Sequence, residues 1–90
     1  MNRVKKSAEL LSDRLELPSD AVAGSPKLTL SGRRQLFVEN HRGILSYGDR
    51  RIVVDCGSMR VCITGDELEL AAMDKADMLI EGRILSVELE

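Results

Sequence analysis

The chain predicts a small, mainly β domain. It reads as an antiparallel meander whose single sheet curls into a partial barrel or a sandwich-like pair, preceded by one N-terminal amphipathic helix. Three observations carry this. Between Leu28 and Glu90, short runs of alternating apolar residues recur with glycine at the breaks. Reading those breaks as turns sets strand registers, and each places large aliphatics on the same face. The other face keeps Phe37, Ile44, Val53 and Cys62, more apolar surface than one flat sheet can leave wet. A short β-solenoid with glycine corners is the alternative, and the irregular glycine spacing argues against it.

Two segments make up one structural domain: residues 1–26, a helix and linker, and residues 27–90, the β part. From Val4 to Leu15 the pattern is helical. Val4, Ala8, Leu11 and Leu15 recur at helical spacing beside Leu10, with Lys5, Lys6, Glu9, Asp13 and Arg14 on the other faces. Pro18 ends it, because the residue before a proline is pushed out of the α region. Ser19-Asp20 can cap a short turn through Ala21-Val22-Ala23, and Gly24-Ser25-Pro26 breaks the chain. Either this helix covers the sheet, or it detaches to dock on a membrane surface or partner; a short stripe without aromatic anchors is weak membrane bait.

The strands follow in order. A three-residue loop at Gly32-Arg33-Arg34 sets Leu30 against Leu36 and Leu28 against Val38. A four-residue loop at Asn40-His41-Arg42-Gly43 sets Val38 against Leu45 and Leu36 against Tyr47. Gly48-Asp49 sets Leu45 against Ile52. Gly57-Ser58, with glycine at the first central position, is a type II′ signature. It sets Val54 against Val61 and Ile52 against Ile63, with Asp55 opposite Arg60. Gly65-Asp66, read as a turn, sets Leu68 against Ile63 and Leu70 against Val61. The expected core is Leu28, Leu30, Leu36, Val38, Leu45, Ile52, Val54, Val61, Ile63, Leu68 and Leu70. In the tail Met78 and Ile80 alternate with polar neighbours, Gly82 marks a bulge or corner, and Leu85, Val87 and Leu89 form a terminal strand without lysine or proline to blunt its edge.

Composition narrows the function. Among 90 residues, 13 basic and 15 acidic side chains leave a net charge of −2, no electrostatic case for nucleic acid. One Tyr, one Phe and no Trp give no base-stacking platform. No apolar run approaches the roughly 20 residues needed to cross a bilayer. Arg3, Lys5 and Lys6 are not followed by an apolar signal core, so the expected compartment is the cytoplasm.

No residue pattern supplies a reaction. Cys56 and Cys62 fall on opposite faces in this register, so they are expected free. One histidine and no Cys-x-x-Cys give no zinc site, and no metal or cofactor is expected. His41 is the sole side chain titrating near neutrality, without a recognisable nucleophile or second base beside it. It reads as a loop support or as part of a binding surface. Arg33-Arg34 and Arg50-Arg51 are basic pairs at turns, solvating the loops or meeting an anion. No catalytic residue is assigned. The candidate interaction or signature residues are Glu39, Asn40, His41, Arg42 and Gly43, with Phe37 and Val87 as an apolar patch and edge for self-association or a partner.

Several strings in order carry a resemblance. They are Leu17-Pro18 with Asp20, Pro26-x-Leu28-Thr29-Leu30-x-Gly32, and Val38-Glu39-Asn40-His41-Arg42-Gly43-Ile44, then Ile63-x-Gly65-x-x-Leu68 and Ile80-x-Gly82-x-Ile84. Together they resemble the YabP/YqfC family of endospore formers, in its YqfC type, over nearly the whole chain. The resemblance implies a non-enzymatic sporulation protein of the mother cell, cytoplasmic or at the forespore outer membrane, with a structural or assembly role. Family members are commonly encoded beside a membrane protein of the YqfD type, which the resemblance makes the expected partner. A small ligand-binding or regulatory module with its site near the His41 loop is the other function class.

Overall fold

The computed structural model describes residues 24–90. The helix expected over Val4–Leu15 and the short turn after it lie outside the described residues. Six strands follow: β1 Lys27–Ser31, β2 Gln35–Glu39, β3 Gly43–Ser46, β4 Arg51–Asp55, β5 Arg60–Met73 and β6 Asp77–Leu89. They form one sheet in the order β1-β2-β6-β5-β4-β3, every pair antiparallel, and the sheet does not close into a barrel. The antiparallel ladder excludes the solenoid, whose coils pair in parallel.

The two hairpins with the clearest turns have the expected registers. β1 and β2 pair Leu28 with Val38 and Leu30 with Leu36. β4 and β5 pair Val54 with Val61, Ile52 with Ile63, and Asp55 with Arg60. Three other registers are corrected. Strand β2 does not pair with β3; its partner is β6, with Val38 opposite Met78 and Leu36 opposite Ile80. In the β3–β4 pair Ile44, not Leu45, aligns with the core side: it opposes Val54, and a bulge then brings Ser46 opposite Val53. Gly65-Asp66 is no turn. β5 runs through it and pairs with β6 along the length of both strands, with three shifts of register.

The connection from β2 to β3 dictates the shape. Glu39 pairs with Asp77 at the start of β6, near the far end of β5, whereas Gly43 pairs with Asp55, opposite the first residue of β5. A flat strand from Arg60 to Met73 would separate those ends by about 43 Å at about 3.3 Å per residue. Four residues of chain reach at most about 14 Å. The long β5–β6 hairpin must therefore fold back on itself.

Its fold line is visible in the backbone. Around residues 65–69 of β5 and 81–84 of β6 the register shifts repeatedly. Glu67 carries a left-handed φ of 52°. A Cβ on Gly65 would lie 2.0 Å from the Arg83 carbonyl oxygen, and one on Gly82 would lie 2.6 Å from that of Glu67, so the strands touch where only glycine fits. The two flanking turns clasp this line. The Arg33 and Arg34 carbonyls accept from the amides of Ile84 (2.7 Å) and Gly82 (3.1 Å), and those of Asp49 and Arg50 accept from Leu68 (2.7 Å) and Gly65 (3.0 Å).

Folding the sheet buries one face against itself. Leu36, Val38, Met78 and Ile80 of one half join Ile52, Val54, Cys56, Val61 and Ile63 of the other in a single cluster, with Leu68 and Ile84 at the fold line. Strands β2 and β4 are not sheet neighbours, so this contact is face to face, in the manner of packed sheets. Leu28 and Leu70 pack at its margin. Two expected core residues are exposed instead: Leu30 at 53%, on the edge strand β1, and Leu45 at 56%, displaced by the β3 bulge. The outward patch also shrinks, because Ile44 packs against the core and Val53 and Cys62 are buried.

Candidate functional site

The string Glu39–Gly43 is the link that the folded hairpin requires, and each residue type in it has a mechanical reason. Asn40 takes a left-handed φ of 63°, which asparagine tolerates, to turn the chain out of β2. Its side-chain Nδ2 donates to the Ser25 carbonyl at 2.8 Å, tying down the segment that leads into β1. His41 is the one buried polar residue among those described, 6% exposed. Its backbone amide donates to the Ala76 carbonyl at 2.9 Å. Gly43 N–H donates to His41 Nδ1 at 3.0 Å, and Nε2 lies 3.1 Å from the Asp74 carbonyl. A backbone N–H can only donate and a carbonyl can only accept, so Nε2 carries the ring proton. The Arg42 amide then bonds the Asp55 carbonyl at 2.7 Å, and its side chain lies over Gly57.

The loop thus fastens the β5–β6 turn, at Asp74 and Ala76, to the end of β4 at Asp55. Both ring nitrogens of His41 are hydrogen-bonded within this link, Nε2 to the Asp74 carbonyl and Nδ1 to the Gly43 amide. Sequence reasoning missed the other half of the clasp, Asp74–Asp77, although an aspartate two and three residues before further turn residues is a recognisable signal. Asp74 Oδ1 accepts from the amides of Asp77 (2.8 Å) and Ala76 (3.0 Å). Those two bonds, Asp77 first, hold its carboxyl below the usual carboxylate range. A carboxyl lowered by folding stabilises the native state above its unfolded value, near 3.9, and loses that contribution as pH falls through the folded value. Asp74→Asn is therefore expected to flatten the acid limb of the stability curve below about pH 4, read from urea midpoints against pH, and to leave the shape above it unchanged.

The remaining sequence candidates scatter. Arg34 and Arg50 come together with Arg83 on an open concavity of about 640 Å³ at the fold line. Asp49, Asp66, Glu67, Glu69 and Glu81 line the same surface, so an anion would meet more carboxylates than guanidinium groups. Phe37 points away from the core. It opposes Leu79, and with Ala72 and Met73 these residues line a shallow groove of about 240 Å³. Val87 packs at the margin of the core, opposite Ile63. Cys56 and Cys62 are both buried and free. Burial, helped by the charge of Asp55, pushes the Cys56 thiol up and keeps it protonated and unreactive. Among the described residues no helix is long and apolar enough to cross a membrane.

Comparison with known proteins now bears on this geometry. A family model described as the YabP family matches residues 23–90. The chain is 30% identical over 74 residues to the uncharacterized protein YqfC of Bacillus subtilis (strain 168), a stretch covering 82% of this chain and 80% of that protein. No solved structure matches.

Proposed function

Because the chain belongs to the YabP family, we propose that it is a sporulation-related protein of the mother cell, acting by protein–protein contact and not by catalysis. One observation carries the non-catalytic reading. In Glu39–Gly43, the string that looks most like a site, the histidine ring and the backbone amides of His41, Arg42 and Gly43 are engaged in the link between the two halves of the sheet, and the asparagine amide ties down the segment before β1. A ligand beside His41 would find no free ring nitrogen. One surface open to contact is the apolar row Phe37, Leu79, Ala72 and Met73, which lines a shallow groove, with Phe37 at 37% and Met73 at 47% exposure on the outside of the sheet. A row of that kind, flanked by the carboxylates of Asp74 and Asp77, suits a partner with an apolar ridge beside basic side chains. The membrane protein of the YqfD type is the partner in this reading, with the chain held peripherally at the forespore outer membrane.

The test is co-purification of the tagged chain from sporulating cells. The YqfD-type protein should be recovered with the native chain and lost with Phe37→Glu, whose circular dichroism and melting should stay native because the ring lies outside the core. Recovery that Phe37→Glu leaves unchanged would remove this surface from the account. Failure to recover the membrane protein with the native chain would remove the partner.

A further inference from the structure

We propose that the second half of β6 is a docking edge for another copy of this chain, through antiparallel strand pairing centred on Val87. The hydrogen-bond pattern shows which way the strand faces. Arg60 and Glu90 exchange both backbone bonds, at 2.9 and 2.8 Å. Bonded and unbonded residues alternate along an antiparallel pair. Glu88 and Ser86, opposite Cys62 and Thr64, therefore turn their backbone groups toward β5, while Leu89 and Val87 turn theirs away. On that other side β2 covers β6 only over Asp77–Glu81. The amides of Gly82 and Ile84 are taken by Arg34 and Arg33. Beyond Ile84 no described strand pairs that side.

Register selects a second copy as the occupant. A two-fold pairing centred on Val87 sets it against its own equivalent, with both backbones presenting outward N–H and C=O groups. The same register places Leu85 opposite Leu89 of the second copy, and these are the two most exposed large hydrophobic residues described, at 58% and 60%. Ser86 then opposes Glu88, so no carboxylate directly faces another. Alternation keeps Val87 and Leu89 on the side where Val87 already touches the core, while Leu85 is the residue that the β5–β6 register skips between Ile84 and Ser86. No lysine or proline guards Leu85–Leu89.

Proline is a selective probe here. Because Val87 N–H faces away from β5, Val87→Pro removes the donor the second copy needs and no bond of the β5–β6 ladder. A second variant, Leu85→Lys with Leu89→Lys, leaves the backbone intact. Sedimentation velocity with light scattering on the full chain should show a concentration-dependent dimer for the native sequence. Either variant should give a monomer with native circular dichroism, and the lysine pair decides the matter if the proline variant fails to fold. Phe37→Glu should leave the dimer intact, which separates this edge from the partner surface proposed above. A native chain that stays monomeric at every concentration, a dimer that survives the lysine pair, or one that dissolves with Phe37→Glu would overturn the proposal.

Discussion

Gly65→Ala is expected to abolish the native fold. The added Cβ would sit 2.0 Å from the Arg83 carbonyl oxygen and 3.0 Å from its carbon, so the clash is between two backbones and no rotamer relieves it. Gly82→Ala meets the same obstacle from the opposite strand, 2.6 Å from the Glu67 oxygen and 2.8 Å from Leu68 Cα, and adds the strain of a φ of 140°. Opening the strands to make room would separate the layers that the fold line brings together. The cost is on the order of 4 kcal/mol or more, comparable with the whole margin of a domain this size. Gly48→Ala is the control: its Cβ would make an ordinary 3.4 Å contact with the Arg51 oxygen, and a change within about 1 kcal/mol is expected. Urea titration followed by circular dichroism reads both.

Ile63→Ala carries the second large effect. Ile63 is fully buried, opposite Ile52 on one side and Val87 on the other, in the cluster that both halves of the sheet share. Removing its branched end should cost about 2–5 kcal/mol, since neighbours held by ladders on both sides cannot collapse into the space. At about 4–8 °C per kcal/mol for a domain of this size, the melting temperature should fall well beyond experimental error. Leu45→Ala, the residue that alternation alone would place inside, should change stability by no more than about 0.5 kcal/mol.

These two residues illustrate what the sequence could and could not disclose. Where two strands are joined by a short turn, the turn chemistry and the alternation refer to the same pair, and both registers of that kind were legible: Leu28 with Val38 across Gly32-Arg33-Arg34, and Val54 with Val61 across Gly57-Ser58. Asn40–Gly43 has the same turn-like composition and misled for that reason. Its flanking strands lie in different halves of the folded sheet, and alternation with a period of two does not name a partner some forty residues away. Gly65-Asp66 misled likewise. The glycine is there for a close backbone crossing, and the positive φ falls on Glu67, which carries no local mark. Gly82 could be read as a bulge because apolar alternation continues on both sides of it. As for the site, its residues were visible as a string, but their role depends on Asp74 and Ala76, which only the fold-back brings to His41.

The central claim is that the β5–β6 hairpin folds back so that the Glu39–Gly43 loop can fasten its two ends. The most direct test is a spin-label distance between the exposed turn positions Ser58 and Lys75, each changed to cysteine with the two buried native cysteines replaced. A loop reach of about 14 Å predicts labels within about 25 Å of one another. A distance of about 40 Å or more, the length of an unfolded-back strand at about 3.3 Å per residue, would contradict the account.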